Sequence, residues 1–159
     1  MREAEVSNVN PDIVGVHHVK FPVSDLERSR IWYEEVFGCR VELEFRDEPD
    51  GPVRGLAFEP ISGVMICLRE NAAAAAGIAG FDPVSFAIRD RASADRWVEH
   101  LDRLGIDHSP VIDATIGWLV VFHDPDGVEH HLYSVERHGI DQGDRPGYGV
   151  TRDDANLAE

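Results

Sequence analysis

Two short histidine-bearing stretches carry most of the chemistry this sequence could perform. His17-His18-Val19-Lys20 lies near the start and Glu129-His130-His131-Leu132-Tyr133 near the end. Imidazole is a common metal ligand and suits zinc, iron, nickel and copper, whereas a thiolate favours softer ions. Both stretches alternate with a period of two, as strands with one covered face do. In the first, Val19, Phe21 and Val23 share a face, opposite His18, Lys20 and Pro22. In the last, Val128, His130 and Leu132 oppose Glu129, His131 and Tyr133. His18, Lys20, His131 and Tyr133 can therefore converge on one cavity. Met65, Cys67 and Arg69 share a face of another run. Trp118 and Tyr133 can form an aromatic wall, and Glu129 or Asp113 can act as a base within hydrogen-bond reach of a substrate. Each also has a purely structural reading. Histidine fills polar space, Cys67 can be a small buried hydrophobe, Lys20 can snorkel to the rim, and the aromatics can be core. His123 and His130 read as surface or packing residues.

These side chains need strands to aim them, and the pattern supplies strands around two helices. Gly15–Val23 reads as a strand. Ser24 with Glu27 three residues on forms a capping box, opening a helix with Leu26, Tyr33, Val36 and Phe37 on one side and Gly38 as its stop. Strands follow at Arg40–Arg46, Val53–Phe58 and Gly63–Arg69, the first two joined by the turn sequence Asp47–Gly51. Asn71–Gly80 is a connector whose alanine run can form a short helical turn. The order then repeats. Val84–Ile88 is a strand, and Asp90 caps a helix with Ala94, Trp97, Val98, Leu101 and Leu104 on one face and Gly105 as its stop. His108–Ile112, Gly117–His123 and Glu129–Val135 are strands, the last two linked by the hairpin signal Asp124-Pro-Asp-Gly127. Phe21, Val23, Asp25 and Trp32 correspond at a constant offset to Phe86, Ile88, Asp90 and Trp97. This divides the chain into an arm (1–12), a first module (13–70), a connector (71–81), a second module (82–136) and a flexible tail (137–159).

The bulk properties remove several functions. A formal net charge of −15 opposes nucleic-acid binding through a basic face and would draw cationic ligands. Two cysteines form no disulfide framework and suit a reducing cytoplasm, where the protein is expected. No apolar run approaches the ~20 residues of a membrane span, and the polar start lacks a signal-peptide core. No Gly-rich phosphate loop, Cys-x-x-Cys pair or Gly-x-Ser-x-Gly elbow occurs.

The segment His17–Gly38 (HHVKFPVSDLERSRIWYEEVFG) resembles the opening signature of the vicinal oxygen chelate superfamily, the glyoxalase, bleomycin-resistance and extradiol dioxygenase type. Phe122–Glu136 (FHDPDGVEHHLYSVE) resembles its closing signature, and the likeness spans about residues 13 to 136. The resemblance implies an α+β fold of two βαβββ modules forming a curved mixed sheet around a small-molecule cavity, often with a divalent metal. Its four ligand positions fall here on His18, Cys67, Pro83 and His131. Proline cannot ligate, and His131 stands where glutamate is usual; Asp82 or Glu129 could substitute only through a local shift. The implied metal set is thus His18, Cys67 and His131, holding Zn, Ni, Fe or Mn. Glu129 and Tyr133 are the catalytic candidates, and Lys20, Arg69 and Trp118 the substrate contacts. Two functions compete: a metal-assisted lyase, isomerase or dioxygenase acting on vicinal oxygens, and a metal-free sequestration protein of the bleomycin-resistance type. The expected partners are a small molecule and a second copy in a homodimer, with no nucleic acid and no membrane.

Overall fold

A computed structural model describes residues 13–149. The first module runs β1 (His18–Val23), α1 (Leu26–Phe37), β2 (Val41–Arg46), β3 (Val53–Phe58) and β4 (Met65–Glu70). A short helix, α2 (Ala72–Ile78), leads to the second module: β5 (Ser85–Ile88), α3 (Arg91–Leu104), β6 (Ile112–Asp113), β7 (Gly117–His123) and β8 (Glu129–Arg137). Each module is a separate four-stranded mixed sheet, ordered β1-β4-β3-β2 and β5-β8-β7-β6, with its first and last strands parallel. The duplicated βαβββ order is therefore present.

Period-two alternation gives each sheet a covered and an open face. Phe21, Val23, Leu56, Ile66 and Leu68 are buried with Tyr33 of α1, whereas Val120, Phe122 and Leu132 are buried with Ala94 and Leu101 of α3. Both modules turn their covered faces towards one aromatic seam. There Trp32 and Phe37 of α1 meet Phe86, Trp97, Phe122 and His130 of the second module, with ring centroids 5.3–6.3 Å apart. Aromatic side chains bury large areas and prefer such offset or edge-on pairs.

The helix ends differ in one respect from the capping expectation. The N-cap of α1 is Asp25, whose side chain accepts from the Arg28 amide at 2.9 Å, and not Ser24. Ser24 is turned to the other module. Its amide donates to Asp126 Oδ2 at 2.9 Å, its hydroxyl bonds the same carboxylate, and Arg28 joins them at 2.9 Å. The opening Ser-Asp segment and the closing Asp-Pro-Asp-Gly turn are thus clasped together. Burial works against the Asp126 charge, but the bonds from Ser24 and Arg28 outweigh it and hold its carboxyl below the usual range. Asp90 caps α3 as expected, and Gly38 and Gly105 end the two helices in the left-handed conformation.

The expected strand His108–Ile112 is reduced to a single bridge from His108 to Phe122 and the two-residue β6. Pro110 lies in between and has no N–H for a ladder. Residues 138–149 fold back: His138 Nε2 bonds the Ala114 carbonyl at 2.7 Å, and the Tyr148 hydroxyl donates to the Asp113 carbonyl at 3.0 Å. The arm 1–12 and the end of the tail, 150–159, lie outside the described residues.

Candidate functional site

The open face of the first sheet forms a hollow of about 580 Å³. Its lining runs from His17 to Arg69 and comes entirely from the first module. It includes His18, Lys20, Cys67 and Arg69. The parallel register sets Lys20 beside Cys67 and Pro22 beside Arg69, as alternation requires. His17 and His18 touch through their Nδ1 atoms at 2.9 Å. Arg69 is engaged by both oxygens of Asp47, at 2.6 and 2.7 Å, leaving Lys20 without an ion pair among the described residues. Burial pushes the Cys67 thiol up, with the Lys20 ammonium pulling the other way. The thiol form is favoured, which weakens Cys67 as a metal ligand because the thiolate is the ligating species.

The other half of the expected site lies on the second sheet. Glu129, His131 and Tyr133 share the open face of β8, opposite buried His130 and Leu132. The Glu129 carboxylate lies 2.6 Å from His131 Nε2 and 3.3 Å from His123 Nε2. Asp82, in the loop entering β5, reaches His131 Nδ1 at 3.3 Å. One donor atom each from Asp82, Glu129 and His131 lies within 4.8 Å of the others. Two carboxylates and an imidazole suit a divalent ion of the zinc, manganese or iron type, and three protein ligands leave room for substrate. The donor set therefore fits a metal. Asp82 is the residue the family pattern alone passes over, because the pattern points one position further, to Pro83. His18 and Cys67 are absent from this cluster.

Two further candidates take distinct positions. Trp118 lies on the covered side of its sheet, against the second core and beneath the Arg91 guanidinium, 4.9 Å from its ring centre. Tyr133 Oη accepts the Ile116 amide at 3.1 Å, so its own proton remains free to donate.

Directly behind β8 is a buried polar chain. Tyr33 Oη donates to Asp124 Oδ2 at 2.9 Å and lies 3.1 Å from His130 Nε2. With Asp124 ionised, His130 must carry its proton on Nε2 and donate to Tyr33. Burial and the adjacent imidazoles of His123 and His131 push the His130 pKa down to about 3, keeping it neutral. Burial also raises Asp124, whose other oxygen closes the turn on the amides of Asp126 and Val128. Asp124 was visible in the sequence only as a turn residue.

Comparison with known proteins matches residues 15–132 to the family model described as the glyoxalase/bleomycin resistance protein/dioxygenase superfamily. Among solved structures, a glyoxylase/bleomycin resistance protein/dioxygenase domain from Frankia sp. EAN1pec is 26% identical, with a TM-score of 0.62 over 77% of this chain and 98% of that one. A variant of the fosfomycin resistance protein FosX from Listeria monocytogenes, complexed with Mn(II) and 1S,2S-dihydroxypropylphosphonic acid, is 20% identical, with a TM-score of 0.61 over 77% and 93%. TnmS3, an antibiotic binding protein from Streptomyces sp. CB03234, is 20% identical, with a TM-score of 0.63 over 79% and 98%.

Proposed function

This chain belongs to the glyoxalase/bleomycin resistance protein/dioxygenase superfamily, and from that premise we propose that it is a metal-assisted lyase, isomerase or dioxygenase acting on a small substrate with two adjacent oxygens. The observation that carries this reading is the meeting of Asp82, Glu129 and His131 on the open face of the second sheet. A divalent ion bound there would polarise vicinal oxygens and stabilise negative charge developing on them. Asp82 and His131 would hold it with Glu129, and the Tyr133 proton would bond a substrate oxygen. Metal analysis of tag-free protein equilibrated with manganese, zinc, nickel or iron is the test. A stoichiometric ion lost in both Asp82→Ala and His131→Ala is expected; no stoichiometric ion with any of the four rejects the reading.

A homodimer belongs to this reading, and the complementary character of the two open faces supports it. The first carries Lys20 and exposed Leu43 and Phe45, and the second carries Asp82, Glu129 and exposed Val135. Pairing the first face of one copy with the second face of its partner would cover these side chains and bring His18 to the acidic cluster. Light scattering should then report a dimer, and Phe45→Glu should yield monomer.

A second reading, metal-free sequestration, is favoured by the hollow of the first sheet, where Leu43, Phe45, Leu56 and Ala57 surround a protonated thiol. A thermal-shift screen separates the two: aromatic or cationic compounds should raise the melting temperature with chelator present. If every shift requires metal, sequestration is excluded.

A further inference from the structure

Away from both open faces, a groove of about 550 Å³ runs between the C-terminal end of α1 and one side of α3. Its lining carries three arginines, Arg89, Arg96 and Arg103, with His100 and Trp97 beside them and no aspartate or glutamate. That composition is unusual for this chain, where 30 acidic residues face 15 lysines and arginines. Ion-pairing partners are abundant, yet the groove excludes them. Six other arginines, Arg28, Arg30, Arg46, Arg54, Arg69 and Arg91, form ion pairs. Among the described residues, no carboxylate lies within 4.0 Å of a guanidinium nitrogen of Arg89, Arg96 or Arg103.

Two of these guanidinium groups are held by neutral acceptors instead. Arg96 donates to Ser93 Oγ at 2.9 Å. Arg103 approaches His100 Nδ1 at 3.5 Å, while His100 Nε2 donates to the Val36 carbonyl at 2.9 Å. That bond fixes the tautomer, leaving Nδ1 as an acceptor facing Arg103. The nearby acid, Asp90, is occupied as the cap of α3, taking the amide and hydroxyl of Ser93 at 2.8 Å. Of the acids of α3, Asp95 is engaged by Arg91 and Asp102 by His108, and Glu99 is exposed outside the groove lining. Serine and imidazole contact the guanidinium groups directly, and Asp90 acts on Arg89 and Arg96 only through space, so free donors remain available to an incoming anion.

Arg96 and Arg103 are two helical turns apart, about 10 Å along the axis. One small anion cannot use both groups fully, whereas an extended one can. We propose that this groove binds a small molecule bearing at least two phosphate or carboxylate groups, with Arg96 and Arg103 as its two anchors and Arg89 adding positive field. The site is separate from the proposed metal centre and does not depend on it.

Isothermal titration of the full chain, with total ionic strength held constant, tests this with three probes: tripolyphosphate, citrate and inorganic phosphate. Saturable one-to-one binding of tripolyphosphate or citrate, at least tenfold tighter than inorganic phosphate, is expected, and which of the two binds identifies the anionic group. Arg96→Ala and Arg103→Ala should each weaken it at least tenfold. Arg91→Ala, which removes one positive charge outside the groove, should leave it within twofold, and circular dichroism establishes that all three variants fold. The proposal is overturned if neither extended anion saturates, if inorganic phosphate binds as tightly, or if the Arg91 variant loses as much as the groove variants.

Discussion

The two modules are built alike and equipped differently. Phe21 and Val23 of the first correspond to Phe86 and Ile88 of the second, Asp25 to Asp90 as N-caps, and Gly38 to Gly105 as left-handed helix ends. These positions face the helix or terminate it. The open faces share nothing of the kind: a lysine beside a protonated thiol on one, two carboxylates around an imidazole on the other. A repeated fold constrains residues that pack and leaves free those that look outward, so chemistry diverges where the scaffold does not.

The likeness should break first in the cores. Phe21 is 1% exposed, whereas Phe86 is only partly buried. Phe21→Ala should cost about 3–5 kcal/mol and Phe86→Ala clearly less, read from urea midpoints. Equal losses would mean that the two halves contribute equally. The open faces come next. His131→Ala should weaken metal binding at least tenfold, about 1.4 kcal/mol, while Cys67→Ser leaves affinity within twofold. A large effect of the serine variant would place the thiol in the metal shell.

The sheets differ too. A Cβ at Gly117 would lie 2.7 Å from Ser134 Oγ and 2.9 Å from the Ser134 carbonyl, whereas at Gly55 the nearest atom, the Leu68 carbonyl, is 3.1 Å away. Gly117→Ala should therefore destabilise by about 1–3 kcal/mol and Gly55→Ala by less, as thermal unfolding will report. The smallest difference is expected at the caps. Asp25→Ala should cost about 1 kcal/mol. Asp90→Ala should cost more, because that carboxylate also holds the Ser93 hydroxyl. Bonds from the Ser93 hydroxyl and amide keep Asp90 below the usual carboxylate range. Its contribution is complete above the ordinary pKa of an aspartate and fades as pH falls through the lowered one. Acid titration of Asp90→Asn should lack that component.

Much of the architecture was legible because burial leaves a periodic trace. Val53–Phe58 and Gly117–His123 were readable residue for residue, and so was the αL glycine that ends α1 and α3. His108–Ile112 was misleading because alternation alone could not register the loss of the ladder around Pro110. Ser24 was misleading for a different reason. Its capping partner by local rule was Glu27, but a carboxylate far along the chain, Asp126, took its hydrogen bonds. Local propensity yields to a tertiary partner when that partner satisfies more donors at once.

From residue order alone came the duplicated βαβββ plan, the division of each strand into inward and outward side chains, and the pairing of Glu129, His131 and Tyr133 on one face. Alternation and helical spacing are properties of the backbone and need no knowledge of what lies opposite. Only the folded chain decided that Asp82 reaches His131, that Trp118 turns to the core, and that His18 and His131 occupy different sheets. Those outcomes depend on loop paths and on how two modules meet, and neither leaves a periodic mark in a sequence.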